Sequence, residues 1–136
     1  MKRNLNFIEA GSLLETNETT SVDLTKIYLE KIKEADELNC FNTVSAEQAL
    51  DEAEKSDLRR QQGKLKSRFD GIPIGVKDLF CTKNIKTTAS SRILSNFTPS
   101  YESTVTPNCI DAGLVSLGKL NCDEFAMGST NKTSYY

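Results

Sequence analysis

The 136-residue sequence contains no histidine and no tryptophan. The first absence is chemically the stronger, because imidazole is the usual general base for a serine or cysteine nucleophile. Any hydrolytic chemistry must therefore draw its base from a lysine or a carboxylate. Cys40, Cys81, Cys109 and Cys122 are too widely spaced for a C-x-x-C pair, so neither a zinc ribbon nor a dithiol motif can be read from them. They read as buried or half-buried free thiols of a reducing compartment. Long hydrophobic runs are also missing. No stretch of 18 apolar residues occurs, and Met1-Lys-Arg3 leads into a polar segment rather than a signal-peptide core. A net charge of -2 and an isoelectric point near 5.2 give no broad attraction to nucleic acid or anionic lipid. These exclusions predict a cytoplasmic chain with no membrane and no DNA partner, long enough for one domain or a portion of one.

Hydrophobic spacing then orders what is present. Asn6 to Leu14 predicts a short helix, and Thr20 with Asp23 three positions on predicts the start of a longer one carrying Leu24, Ile27, Tyr28 and Ile32. Cys40 to Val44 reads as a strand. Ser45 with Gln48 has the capping-box pattern for a helix running to about Gly63. The basic cluster Arg59, Arg60, Lys64, Lys66 and Arg68 has no interleaved aromatics to stack bases, so it reads as a solvated helix end and loop. Thr82 to Ser91 predicts a loop or extended crossing. Thr106-Pro107 predicts a helix start, Gly113 its end, and Leu114 to Lys119 a strand. Strand, helix, strand predicts a parallel pair. Asn121 is placed as the cap of a turn through Met127.

The segment Phe69-Asp-Gly-Ile-Pro-Ile-Gly-Val-Lys-Asp-Leu-Phe80 sets a lysine in an apolar run. Ile72, Ile74 and Val76 alternate with Pro73, Gly75 and Lys77, so the run predicts a strand with Lys77 on a face thinned by Gly75. An ammonium moved out of water is disfavoured against neutral amine, and a lysine so placed becomes a base. An ion pair of Lys77 with Asp78 or Asp123, or an amine that snorkels to water at the strand end, fits the same residues.

Five blocks occur in order: Gly71-Ile-Pro-Ile-Gly-Val-Lys-Asp78, Thr87-Thr-Ala-Ser-Ser-Arg-Ile-Leu94, Tyr101-Glu-Ser-Thr-Val105, Ala112-Gly-Leu-Val-Ser-Leu-Gly-Lys119 and Asp123-Glu-Phe-Ala-Met-Gly-Ser129. Together they resemble the amidase signature family, and within it most closely the A subunits of glutamyl-tRNA(Gln) amidotransferases. The resemblance is loose over the helical first half and close from Phe69 to Tyr136. It implies an α/β fold, a mixed or parallel sheet flanked by helices, incomplete in this chain. Residues 1–136 are then the N-terminal portion of one amidase-signature domain, with 1–68 mainly helical and 69–136 the start of the α/β core.

The same resemblance implies that Lys77 is the base of a Ser-cisSer-Lys triad and that Met127 and Gly128 line the substrate pocket close to it. Their other reading is that Phe125 and Met127 anchor the core. Both serines of the triad belong to a G-G-S-S-G-G-S signature that this sequence lacks. Ser90, Ser91, Ser129 and Ser134 have no such glycine setting and read as polar loop residues. The implied function is release of ammonia from glutamine for transamidation of misacylated Glu-tRNA(Gln), or also of Asp-tRNA(Asn). Partner B and C subunits are implied, with ATP and magnesium in the partner and no cofactor in this chain. A small-amide amidase of the same family and a non-catalytic fragment are the alternatives. Asn84 stands where the family often has glycine, which predicts a turn with positive φ.

Overall fold

The computed structural model describes residues 5–136. Helix α1 (Phe7–Glu15) begins where the Asn6 side chain accepts from the backbone N–H groups of Ile8 and Glu9, while Glu9 reaches back to the Asn6 N–H. This reciprocal cap satisfies donors that a helix start otherwise leaves open. Helix α2 (Ser21–Glu34) is capped by Thr20, as its spacing predicts. Strand β1 (Phe41–Val44) follows, then α3 (Ala46–Gln61), β2 (Pro73–Lys77), α4 (Val105–Asp111) and β3 (Val115–Leu120). Single 3-10 turns occupy 36–38, 92–94 and 124–126.

The three strands form one mixed sheet in the order β1-β3-β2, with β3 central. β2 and β3 are parallel, connected through α4, and β1 is antiparallel to β3. Helix α3 is rich in Ala, Glu and Leu, all good helix formers, and its buried positions Ala49, Ala53 and Ser56 recur at helical spacing. These small side chains bring the helix close to Val115 and Leu117 of β3, with Val22, Tyr28, Leu29, Ile32 and Phe41 closing the cluster. A second cluster joins Ala10, Leu14 and Leu24 to Ile72, just before β2. Truncating Leu24 to alanine removes about 2–5 kcal/mol by lost transfer energy and cavity formation.

Gly118 marks a bulge in β3. Its φ is +141°, and a Cβ there would lie 2.1 Å from the Thr43 carbonyl oxygen, so only glycine permits the approach of β1.

Several local expectations change. Ser45 caps α3 by position but makes no side-chain cap hydrogen bond. Helix α4 starts one residue before Thr106, whose hydroxyl binds the Glu102 carboxylate and the Cys81 carbonyl instead of capping. Asn121 is not a helix cap. Its Oδ1 accepts from Ser90, Ser134 and the Cys122 N–H, tying together loops distant in sequence. Cys40 is exposed rather than buried. The basic cluster is not simply solvated, because Arg59 donates from Nε (2.8 Å) and Nη2 (2.6 Å) to the fully buried Asp70 carboxylate, and Arg60 donates to the Asp70 carbonyl. Burial works against the ionised form of Asp70. The Arg59 and Lys66 N–H donors outweigh it and hold the carboxyl below its usual range.

Candidate active site

β2 and β3 end side by side, and their carboxyl ends deliver the sequence-predicted site residues to one end of the sheet. Lys77 is the last residue of β2, paired with Leu120. Met127 and Gly128 follow the turn that leaves β3. Two hydrogen bonds link the two exits, from the Ala89 N–H to the Asp78 carbonyl (2.9 Å) and from the Phe125 N–H to the Ala89 carbonyl (2.8 Å). Open α/β sheets gather ligands at such ends. Crossovers between parallel strands produce this placement without any contact between the residues in sequence.

The side chains differ from expectation in one important respect. Lys77 is exposed, and neither an ion pair nor a hydrogen bond to its amine occurs among the described residues. The expected screening from water is overturned within these residues. The room expected beside Gly75 is also filled. A Cβ on Gly75 would come within 2.8 Å of the Leu120 side chain, which covers that position. Met127 is exposed as well, at 76%, so it is not a core anchor.

The desolvated lysine of the structure is Lys119, which was not among the residues the sequence pattern singles out as a site. Its side chain is fully buried. The ammonium donates to the Phe80 carbonyl (2.6 Å) and to Thr87 Oγ1 (2.7 Å), and stands 3.8 Å from Asp78 Oδ1. Burial pulls its pKa below the usual lysine value, opposed by the charge of Asp78 and, to a lesser degree, by Cys81 and Glu102. The signal for it was available, since Lys119 lies near the carboxyl end of an apolar strand much as Lys77 does.

A bulge separates the two lysines. Ile74 pairs with Ser116 but Gly75 pairs with Gly118, so Leu117 is the extra residue. Val76 therefore pairs with Lys119 and Lys77 with Leu120. Paired residues of a parallel ladder share a face and successive residues alternate, so the lysines project from opposite faces. Without the bulge, Lys77 and Lys119 would sit side by side.

Asp78, the residue after Lys77, is fully buried and held by all of its polar groups. Its carboxylate accepts from the Thr88 N–H (3.1 Å), the Thr88 hydroxyl and Asn42 Nδ2 of β1 (2.9 Å). Its N–H donates to the Leu120 carbonyl at 2.9 Å. Beyond it, Ala89 and Ser90 have φ of 49° and 53°, and Phe125 and Ala126 have 53° and 58°. Four non-glycine residues in the left-handed region, in two touching loops, store strain that the surrounding hydrogen bonds must maintain. Asn84 has φ of 62°, so the turn expected there is kept.

Asp123 organises the second loop. Its carboxylate accepts from the N–H groups of Asn131 (2.9 Å), Thr130 (3.0 Å) and Thr133 (3.2 Å) and from the Thr133 hydroxyl. The Asn131 N–H leads these donors in lowering the Asp123 pKa to about 2. Gly128 packs on this carboxylate, where a Cβ would lie 2.4 Å from Asp123 Cγ. Ser90 and Ser91 are buried loop residues, bound respectively to Asn121 and to Glu124. No group of three or more Cys, Asp or Glu residues is arranged to hold a metal ion among the described residues, and no helix there is long and apolar enough to cross a membrane.

The family model described as Amidase matches residues 23–136. Over 124 residues the chain is 57% identical to the A subunit of the glutamyl-tRNA(Gln) amidotransferase of Francisella philomiragia, covering 90% of this chain and 26% of that protein. It is 53% identical over 132 residues to the protein of the same name from Roseobacter denitrificans, covering 97% of this chain and 26% of the relative. The crystal structure of the glutamyl-tRNA(Gln) amidotransferase A subunit from Thermotoga maritima superposes with a TM-score of 0.73 at 31% identity, over 98% of this chain and 26% of that one. The peptide amidase of Stenotrophomonas maltophilia superposes with a TM-score of 0.83 at 29% identity, over 90% and 26% respectively. The chain spans about a quarter of the length of these relatives.

Proposed function

The chain belongs to the amidase family, and from that membership we propose that it supplies the lysine end of the catalytic site in the A subunit of a glutamine-dependent tRNA amidotransferase. The observation that carries this reading is Lys77, an amine without a partner among the described residues at the carboxyl end of a parallel strand pair, in a chain 57% identical to a protein of that name. Identities of 57% and 53% to two amidotransferase A subunits support this reading over a small-amide amidase acting without partners. A non-catalytic role is the contrasting outcome of the tests below.

In this mechanism Lys77 takes a proton from a bridging serine, which takes one from a nucleophilic serine attacking the glutamine carboxamide. The proton returns through the bridging serine to the leaving nitrogen, so ammonia departs as the acyl-enzyme forms, and water then releases glutamate. The 136 residues contain no Gly-Gly-Ser-Ser run, so the serine pair comes from outside them. Met127 and Gly128 form the pocket wall facing the amide. Ammonia would pass to the B subunit, which would hold the ATP and magnesium needed to activate the misacylated glutamate on tRNA, with the C subunit completing the complex. The residues of this chain are assigned no part of that ATP site.

The test joins residues 1–136 to the remaining three quarters of a relative's A subunit and assembles the product with the B and C subunits. Glutamine hydrolysis should appear in the assembled enzyme and be absent from the 136-residue chain alone. Lys77→Ala should lower it by about a hundredfold or more, the scale on which a proton-transfer group acts. Near-normal turnover in that variant would remove Lys77 from the chemistry.

A further inference from the structure

We infer that Asp78, with Lys119 as its buried counter-ion, is a positioning residue that pins the end of β2 so that Lys77 is presented on the opposite face of the sheet. The inference rests on the base role proposed for Lys77.

The geometry that supports it is specific to this strand end. Asp78 follows Lys77 directly, and every polar group it owns is engaged. Its N–H reaches the central strand, its carbonyl the Ala89 N–H, and its carboxylate Thr88 and Asn42. A strand has a side-chain period of two, so locking Asp78 under the 80–91 loop sends Lys77 to the other side. A slip of one residue would bury the lysine.

Lys119 makes this lock tenable. A buried carboxylate without a cation is costly, and the donors from Thr88 and Asn42 carry no full charge. Lys119 supplies that charge from the adjacent strand, while its other contacts, Phe80 O and Thr87 Oγ1, hold both flanks of the same loop. The bulge at Leu117 is what turns Lys119 toward Asp78 instead of leaving it beside Lys77. Thus the pin, its counter-ion and the strained Ala89–Ser90 turn form one unit around the residue next to Lys77.

Substituting both partners separates positioning from bulk stability. Asp78→Asn combined with Lys119→Met leaves no unpaired buried charge, so the fold should survive. An amide, however, has one acceptor oxygen and an NH2 group that cannot accept from Asn42 or Thr88, so the pin is loosened. In the full-length protein carrying this chain, assembled with its partners, the double variant should melt close to the parent temperature. Its KM for glutamine should stay within about twofold while kcat falls about tenfold or more, the order expected for a reacting group displaced by a fraction of an ångström. Amide hydrogen exchange at Thr88 and Ala89 should accelerate in the same protein. Recovery of kcat together with melting temperature would overturn the positioning role. Failure of the base role has a different signature, an active Lys77→Ala enzyme in which exchange at Thr88 and Ala89 still responds to the Asp78 and Lys119 substitutions.

Discussion

Lys77 ends β2 and Lys119 is the next-to-last residue of its parallel neighbour β3, and locally they look alike: Gly75-Val76-Lys77 against Leu117-Gly118-Lys119. One is exposed with no partner among the described residues, while the other is fully buried with two hydrogen bonds and a carboxylate beside it. The contrast teaches that a lysine in an apolar strand is not one signal but two. A structural lysine sits on the face covered by its own loops, here 80–91. A lysine available for chemistry sits on the face those loops leave open. The choice between them is made by one inserted residue in β3.

Substituting the two lysines is the most direct way to break this comparison. Lys119→Ala strands Asp78 as an uncompensated buried charge and should cost about 3–5 kcal/mol, read as a large fall in the midpoint of urea unfolding. If Lys119→Ala melts like the parent, the buried pair does not hold this region together. Next in size is Gly118→Ala. Its Cβ would strike the Thr43 carbonyl, forcing β1 away and straightening the bulge that separates the lysines. A loss of about 2–3 kcal/mol is expected from the clash and the positive φ together, and a crystal structure of the variant should show Lys119 displaced from Asp78.

Acid titration sharpens the comparison at the second loop. Because the Asp123 pKa is depressed to about 2, its contribution is complete above the ordinary carboxylate value near 3.9 and is lost as pH falls through about 2. Asp70 is depressed in the same direction. Stability should therefore decline below about pH 4, with the N–H groups of Thr130, Asn131 and Thr133 losing exchange protection. Asp123→Asn should flatten the part of the decline that belongs to that loop. The smallest effect is expected at Lys77 itself. Lys77→Ala should change stability by no more than about 0.5 kcal/mol, as for exposed residues away from specific contacts, even where it abolishes glutamine hydrolysis. A large loss of stability would mean that Lys77 has a structural partner after all.

The elements themselves were legible because they are local. Asn6 and Thr20 announce helix starts through side-chain oxygens acting within three residues, and the Ala49, Ala53 and Ser56 face follows from helical period alone. The parallel β2–β3 pair followed from strand, helix and strand in succession. Lys77, Met127 and Gly128 were singled out by ordered sequence blocks, and the fold brings all three to one end of the sheet.

What the tertiary structure alone decided are the long-range pairings. Arg59 with Asp70, Asn42 with Asp78, Lys119 with Thr87 and Asp123 with the Asn131 N–H each depend on loops closing, which no periodicity reports. The bulge at Leu117 belongs with them, since it arises where β1, β3 and β2 must satisfy two ladders at once. Sequence by itself determined that a histidine-free chain would end a parallel strand on a lysine. Which lysine is buried and which is free was settled only by the sheet register, because a shift of one residue exchanges the two faces of a strand.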